Sequence, residues 1–198
     1  MRGTVIQNHQ RIRLRVQTDS AGSLDFGFEA ALVAVRVIVL PRTSYIRGNA
    51  AFWRSQGGGR LERLANRWVP APSANVRSIT SSLGSLAPAT LSRCLLEDHG
   101  TLSTAGKATV AGRRAVLVKD AGNAPGSSRS VLAVAASGTH YPLRLVATGG
   151  TRPGGRVDVC NDGKGSDAHG TISFGQFNRV APIRPPRNVA GRRTGPTV

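Results

Sequence analysis

The sequence predicts an α+β domain, an antiparallel sheet with its helices gathered on one face. Three observations carry this. Residues 11–17 alternate polar and apolar side chains, and Leu24, Phe26 and Phe28 recur every second residue, the period of strands. Between residues 50 and 99 apolar side chains recur at three- and four-residue spacing, the period of helices. From residue 101 the chain returns to strand-like segments separated by loops rich in Gly, Pro, Ser and Asn. Strands, then helices, then strands again argue against alternating βαβ units and for helices segregated to one side of an antiparallel sheet.

The elements follow in order. Residues 3–6 form a short strand and Asn8-His9 a turn. Arg11, Arg13 and Arg15 then alternate with Ile12, Leu14 and Val16, so one face of this strand is cationic and solvated and the other apolar. Leu24, Phe26 and Phe28 mark the next strand. In 33–40 every residue but Arg36 is apolar, so both faces of that strand are expected to be covered. The link Glu29-Ala30-Ala31 lacks the Gly or Asn-Gly of a tight hairpin, so turn chemistry does not set the register there. Residues 43–47 add a short strand after Pro41.

Asn49 is placed to cap a helix beginning at Ala50, and Gly57-Gly58-Gly59 stops it. Leu61, Leu64, Ala65 and Trp68 share one helical face. Val76, Ile79 and Leu83 form a second stripe ending at Gly84. Pro88 opens a further helix with Leu91, Cys94 and Leu95 as its apolar face and Gly100 as its C-terminal cap. Strands are expected at 101–110, 113–119, 130–136, 143–148, 156–160 and 170–177, with Ala111-Gly112 as a hairpin turn. One domain is expected over 1–181. Residues 182–198 carry Arg184, Arg187, Arg192 and Arg193, four Pro and no acid, the composition of a disordered basic tail.

The 198 residues hold 27 Lys and Arg against 10 Asp and Glu, a net charge of +17. Of the cations, 24 are Arg and 3 are Lys, and most lie scattered rather than clustered. There is no RNP-type string or zinc-finger spacing, so nucleic acid is not the expected partner despite the charge. The longest apolar run, 30–40, is far short of the roughly 20 residues a membrane-spanning helix needs.

Catalytic and metal constellations are missing from the sequence. His9, His99, His140 and His169 show no HExxH spacing, and no GxSxG string occurs. Residues 100–107 resemble a P-loop only loosely, with Ala108 where a Ser or Thr must hold magnesium. Asp98-His99 sits at a helix end, where such a pair is ordinary. Residues 161–167 read as a polar turn, because Lys164 stands in the middle of what would be a calcium loop. No catalytic residue, metal or cofactor is expected. Cys94 and Cys160 lack CxxC spacing. The spacing leaves two readings open, buried free thiols or one disulfide.

Four strings, at 44–53 (SYIRGNAAFW), 67–72 (RWVPAP), 112–122 (GRRAVLVKDAG) and 141–149 (YPLRLVATG), together resemble actinobacterial envelope lipoproteins of the LprG type, relatives of the lipoprotein carrier LolA. The resemblance implies a curved antiparallel half-barrel with helices packed on its concave face and an acyl-binding cavity between. It implies export, and with export a Cys94–Cys160 disulfide. Family members carry an N-terminal signal peptide and lipid anchor. None is read here after Met1, so a start upstream, with contact to a membrane surface through that anchor, is expected.

The expected function is that of a non-enzymatic, monomeric, extracytoplasmic protein holding a lipid or acylated ligand. The candidate lining is Phe52, Trp53, Leu61, Leu64, Trp68, Val76, Ile79, Leu83, Leu91 and Leu95. Two alternatives stand beside it. One is a module that binds polyanions, nucleic acid or anionic lipid headgroups, through its Arg-rich surface. The other is an envelope interaction or sensor domain.

Overall fold

The computed structural model describes residues 1–71, 93–94, 97–158 and 160–190. Its strands are β1 (Arg2–Gln7), β2 (Gln10–Thr18), β3 (Leu24–Ala30), β4 (Val33–Leu40), β5 (Thr43–Gly48), β6 (Val69–Pro70), β7 (Leu102–Val110), β8 (Arg113–Asp120), β9 (Ser128–Ala135), β10 (Pro142–Thr151) and β11 (His169–Ser173). They hydrogen-bond in the order β6-β5-β4-β3-β2-β1-β11-β10-β9-β8-β7, an open sheet ending in β6 and β7. Helix is sparse. Helix α1 (Ala50–Gly57) and a 3-10 helix (Gly59–Leu64) follow β5, and Arg93, Cys94 and Glu97 are helical. The expected helices over 76–84 and 88–99 lie almost wholly outside the described residues.

The chain divides into two compact units, Met1–Leu14 with Ser81–Phe177, and Arg15–Thr80 with Asn178–Val198. The first contains an antiparallel meander. β7 pairs β8, β8 pairs β9, β9 pairs β10, and β11 pairs both β10 and β1. Its core is Val110, Ala115, Ala133, Ala135 and Leu143. The two turns expected here form with positive φ at both central residues, as tight hairpins require: Asn8 and His9 at 49° and 61°, Ala111 and Gly112 at 48° and 76°. Edge strand β7 is largely exposed and carries an irregularity between Thr104 and Lys107, a break of the kind that blunts a sheet edge against further pairing. Of the strand expected at 156–160, the described residues 156–158 and 160 are not in a strand. Asp158 accepts the Cys160 N–H at 2.7 Å, while Asn161 donates to the Gly154 carbonyl and accepts from the Gly163 N–H. These local side-chain bonds satisfy the backbone and displace the ladder.

In the second unit β4 pairs with β3 from Leu24↔Val39 to Ala30↔Val33, and with β5 from Val35↔Gly48 to Leu40↔Thr43. The β3–β4 turn is tight although it has no glycine: Ala31 takes φ 47°. Asn49 holds it from outside, its Nδ2 donating to the Leu32 carbonyl at 2.6 Å. The same side chain accepts the Phe52 N–H at 2.9 Å and so caps α1 as the sequence predicts. The helix ends at the glycine run, where Gly58 adopts φ 72°.

Strand β4 is covered on both faces, as its composition requires. Val33, Val35, Val37 and Val39 belong to a cluster with Ile46, Phe52 and Trp53 beneath α1. Ile38 and Leu40 face the other way, into a cluster with Tyr45, Trp68, Ile183 and Val189. Arg36 shares this second face. Its guanidinium grips Asp25 through two bonds, the Nε bond at 2.8 Å, and lies 5.7 Å from the Trp68 ring centre.

Two expectations are corrected here. Trp68 does not continue a helical face with Leu61, Leu64 and Ala65. The 3-10 helix stops, Asn66 takes φ 57°, and Trp68 emerges on the opposite face of the sheet. Residues 182–190 are not a disordered tail. Ile183 donates its N–H to Asp19 at 2.9 Å, Trp68 and Val189 form a parallel bridge, and Ala190 donates to the Trp68 carbonyl at 2.7 Å. The composition is right for disorder, but two apolar side chains, the bridge to Trp68 and the Ile183–Asp19 bond suffice to dock the segment. Residues 191–198 lie outside the described residues.

Two predictions follow from these contacts. Asp25 is 6% exposed whereas the Arg36 side chain is about half exposed. Arg36→Met therefore strands a buried carboxylate and is expected to cost up to about 3 kcal/mol, while Asp25→Asn leaves a cation that water still reaches and costs about 1 kcal/mol. Denaturant melts giving equal costs would contradict this asymmetry. The Ile183 N–H holds the Asp19 carboxyl below the usual carboxylate range. A lowered acid contributes its stability above its unfolded value of about 4, and loses it as pH falls through the folded one. The Ile183 amide resonance is thus expected to titrate with a midpoint below that of an ordinary Asp, and to lose its hydrogen-exchange protection in Asp19→Ala.

Candidate ligand-binding face

The apolar face beneath α1 is where most of the described candidate residues meet. Asn49 starts the helix immediately after β5, so the first turn must fold back over the strand it has just left. Gly48 makes that possible: a Cβ there would collide with the Phe52 ring. Phe52 and Trp53 are 7% and 8% exposed and pack edge to face, ring centres 5.1 Å apart, on Val37 and Ile46. Around these four lie Val33, Val35, Val39, Leu61, Leu64, Ala65, Val69 and Ala71, all only partly buried. The face is therefore a small dry centre with a wide apolar rim.

Of the ten predicted lining residues, Phe52, Trp53, Leu61 and Leu64 are brought together here. Trp68 is on the other face. Val76, Ile79, Leu83, Leu91 and Leu95 lie outside the described residues. One polar atom interrupts the apolar centre. Trp53 Nε1 is buried, and no acceptor among the described residues reaches it. Sequence reading singled out Trp53 as an apolar residue and missed the donor, because a lone indole in an apolar stretch gives no sign of whether its N–H is met.

A second constellation surrounds the disulfide. Cys94 and Cys160 are bonded, their Cα atoms 5.2 Å apart. Glu97, Asp158 and the Cys160 sulfur bring donor atoms within 4.8 Å of one another. They do not fit a metal: the sulfur is spent in the disulfide and offers no thiolate, and Arg93 reaches both carboxylates, Glu97 at 3.5 Å and Asp158 at 3.8 Å. Burial, with Asp158 and Glu97 nearby, pushes the Asp98 carboxyl up from its usual value, and Arg93 opposes this.

The remaining polar motifs resolve into local structure. Nδ1 of His99, His140 and His169 each faces a backbone carbonyl, of Gly100, Ala135 and Asp167, at 2.8–2.9 Å. In 161–167 the side-chain oxygens of Asn161 and Asp162 accept turn N–H groups, and Asp167 accepts the Asn8 N–H. Arg11, Arg13 and Arg15 on β2 are exposed while Ile12, Leu14 and Val16 turn inward, the alternation predicted from the sequence. No family model and no curated protein matches the chain.

The acidic cluster yields a test with a definite sign. An acid raised in the folded state opposes folding at neutral pH, and the penalty disappears as pH falls through the raised value. Asp98→Asn is expected to raise Tm at pH 7, with the gain vanishing in acid where Asp98 is protonated anyway. Replacing both cysteines by Ser opens a loop of 66 residues and should cost about 4 kcal/mol in the chain-entropy account. Calorimetry of the two variants between pH 3 and 7 reads both effects.

Proposed function

We propose that the protein is a non-enzymatic, extracytoplasmic lipid-binding protein of the LprG- and LolA-like kind, which holds acyl chains against the apolar face beneath α1. The observation that carries this reading is the rim of eight partly buried apolar residues around Phe52 and Trp53. Burial of each CH₂ of an acyl chain contributes about 0.8 kcal/mol, so a face of this kind binds a chain without any charged or catalytic group. The Cys94–Cys160 disulfide is compatible with an oxidising compartment outside the cytoplasm. The open antiparallel sheet, with a short helix laid across one face, agrees with the half-barrel that the four sequence strings imply.

A second reading has its own support. Arg11, Arg13 and Arg15 form an exposed cationic row on β2, and the chain carries +17, so anionic lipid headgroups or another polyanion would be attracted to this surface.

Native mass spectrometry of the purified full chain, before and after organic extraction, tests the first reading. Co-purifying lipid that extraction removes and a defined acyl lipid restores is the expected result. A chain that carries no lipid and binds no acyl probe would rule it out. Vesicle binding separates the second: attraction by the Arg row requires anionic vesicles and falls steeply with salt, whereas acyl capture does not.

A further inference from the structure

The first compact unit, Met1–Leu14 with Ser81–Phe177, carries a cationic sheet face that acyl binding beneath α1 does not use. Strand register builds it. Arg2 of β1 and Arg144 of β10 both pair with Ser173 of β11, so these three residues form one row on one face. Thr4, Thr171 and Val146 form the next row of that face. The two-residue turn Asn8-His9 joins β1 to its neighbour β2 and sets Gln7 opposite Gln10. Arg13 then falls beside Thr4, and Arg11 beside Ile6, on the same face. Val5, Ile12, Leu145 and Ile172 alternate to the other side. All four arginines of these strand stretches therefore share one face, and all four are exposed.

Nothing in the chain balances this charge locally. The stretches 2–7, 10–14, 142–151 and 169–173 contain no Asp or Glu. All ten acids of the chain are among the described residues, and none of these pairs with Arg2, Arg11 or Arg144. Asp167, just before β11, is engaged by the Asn8 N–H at the turn.

The spacing selects the partner. From strand spacing and rise, the Cα atoms of Arg2 and Arg144 stand about 10 Å apart and those of Arg2 and Arg11 about 14 Å apart. A small anion meets only one or two such cations. The groove of a nucleic-acid duplex admits a helix or a two-stranded ribbon, and this face is four strands wide. Single strands are held on sheets by stacking on aromatic rings, and the four stretches contain no Phe, Tyr or Trp. A plane of phosphate headgroups meets the whole width of the face, and Thr4, Thr171 and Ser173 set hydroxyl donors between the cations.

We infer that the face formed by Arg2, Arg11, Arg13 and Arg144 docks the protein on an anionic lipid bilayer. This rests on the polyanion reading and deepens it, by naming the partner and by extending the cationic row of β2 across β1, β11 and β10.

The test is cosedimentation of the full chain with vesicles of equimolar phosphatidylglycerol and phosphatidylcholine, against vesicles of phosphatidylcholine alone. Binding is expected to the first only, and to weaken as salt is raised. Arg2→Gln and Arg144→Gln should each lower the partition coefficient about fivefold, the size of one Arg contact with an anionic surface. Arg114→Gln is the control. Arg114 is exposed on β8 in the same unit, but its neighbour Ala115 pairs with Ala135 and so shares the face of Ala133 and Arg144, which puts Arg114 on the opposite face. It removes the same charge and should change binding far less. An equal loss in all three variants would overturn the inference, because net charge and not this face would then be responsible. Binding to heparin or poly-uridine without binding to the anionic vesicles would overturn the bilayer and leave the polyanion reading standing. Binding to none of them would remove both.

Discussion

The second unit of the fold depends on one constraint, that strand β4 is apolar on both of its faces and each face must be covered by something different. Val33, Val35, Val37 and Val39 call for one cover, Ile38 and Leu40 for another. The chain meets the first with α1 and the 3-10 helix and the second with its own residues 178–190. Because side chains alternate strictly along a strand, a one-residue slip of β4 against β3 or β5 would exchange the two sets. Arg36 makes such a slip worse than a loss of packing. In register it reaches Asp25 and the Trp68 ring; out of register it would enter the apolar cluster beneath α1 and leave Asp25. One buried acid and one half-exposed cation thus fix the register that the glycine-free β3–β4 turn leaves unspecified.

What the sequence discloses about this arrangement depends on how local each cause is. The alternation of β2, the double-sided composition of β4, the cap at Asn49 and the stop at Gly58 are short-range matters, and each appears in the structure where the residues place it. The Ala31 turn is not legible, because its support comes from Asn49, eighteen residues on, rather than from its own chemistry. Trp68 misleads for a related reason. Its spacing from Leu61 matches two helical turns, but Asn66, whose N–H bonds to the Gly48 carbonyl at 2.7 Å, redirects the chain before the second turn is complete. Composition averages over 182–198 and hides the two apolar anchors, Ile183 and Val189, that dock its first half. The candidate face was half legible. The apolar residues of α1 and the 3-10 helix point to it, whereas the unpaired indole N–H is a property of three-dimensional surroundings alone.

The net charge also takes on a structural meaning. Of the ten acids, Asp25, Glu62, Glu97 and Asp158 pair with Arg36, Arg54 or Arg93. Asp19, Asp120, Asp162 and Asp167 accept backbone N–H groups at turns and strand ends. Acids in this chain are therefore tied to particular structural tasks and do not serve as a general counter-charge. The described Arg side chains of this surplus are exposed, which biases the protein towards anionic surroundings.

The two faces of β4 differ in a way that bears on function. The face over Ile38 is met by a segment of the chain that is tied down by backbone N–H bonds at Ile183 and Ala190. Among the described residues the face over Val37 is buried at its centre under Phe52 and Trp53, and the residues around them are partly buried. On the first face, the docking segment's N–H groups at Ile183 and Ala190 are met by Asp19 and by the Trp68 carbonyl. On the second, α1 is short and the 3-10 helix only about two turns long, and eight apolar residues stay partly buried. Partly buried apolar residues surround both clusters, but they are more numerous beneath α1, eight against three, and that is what makes the α1 face the place to look for a ligand.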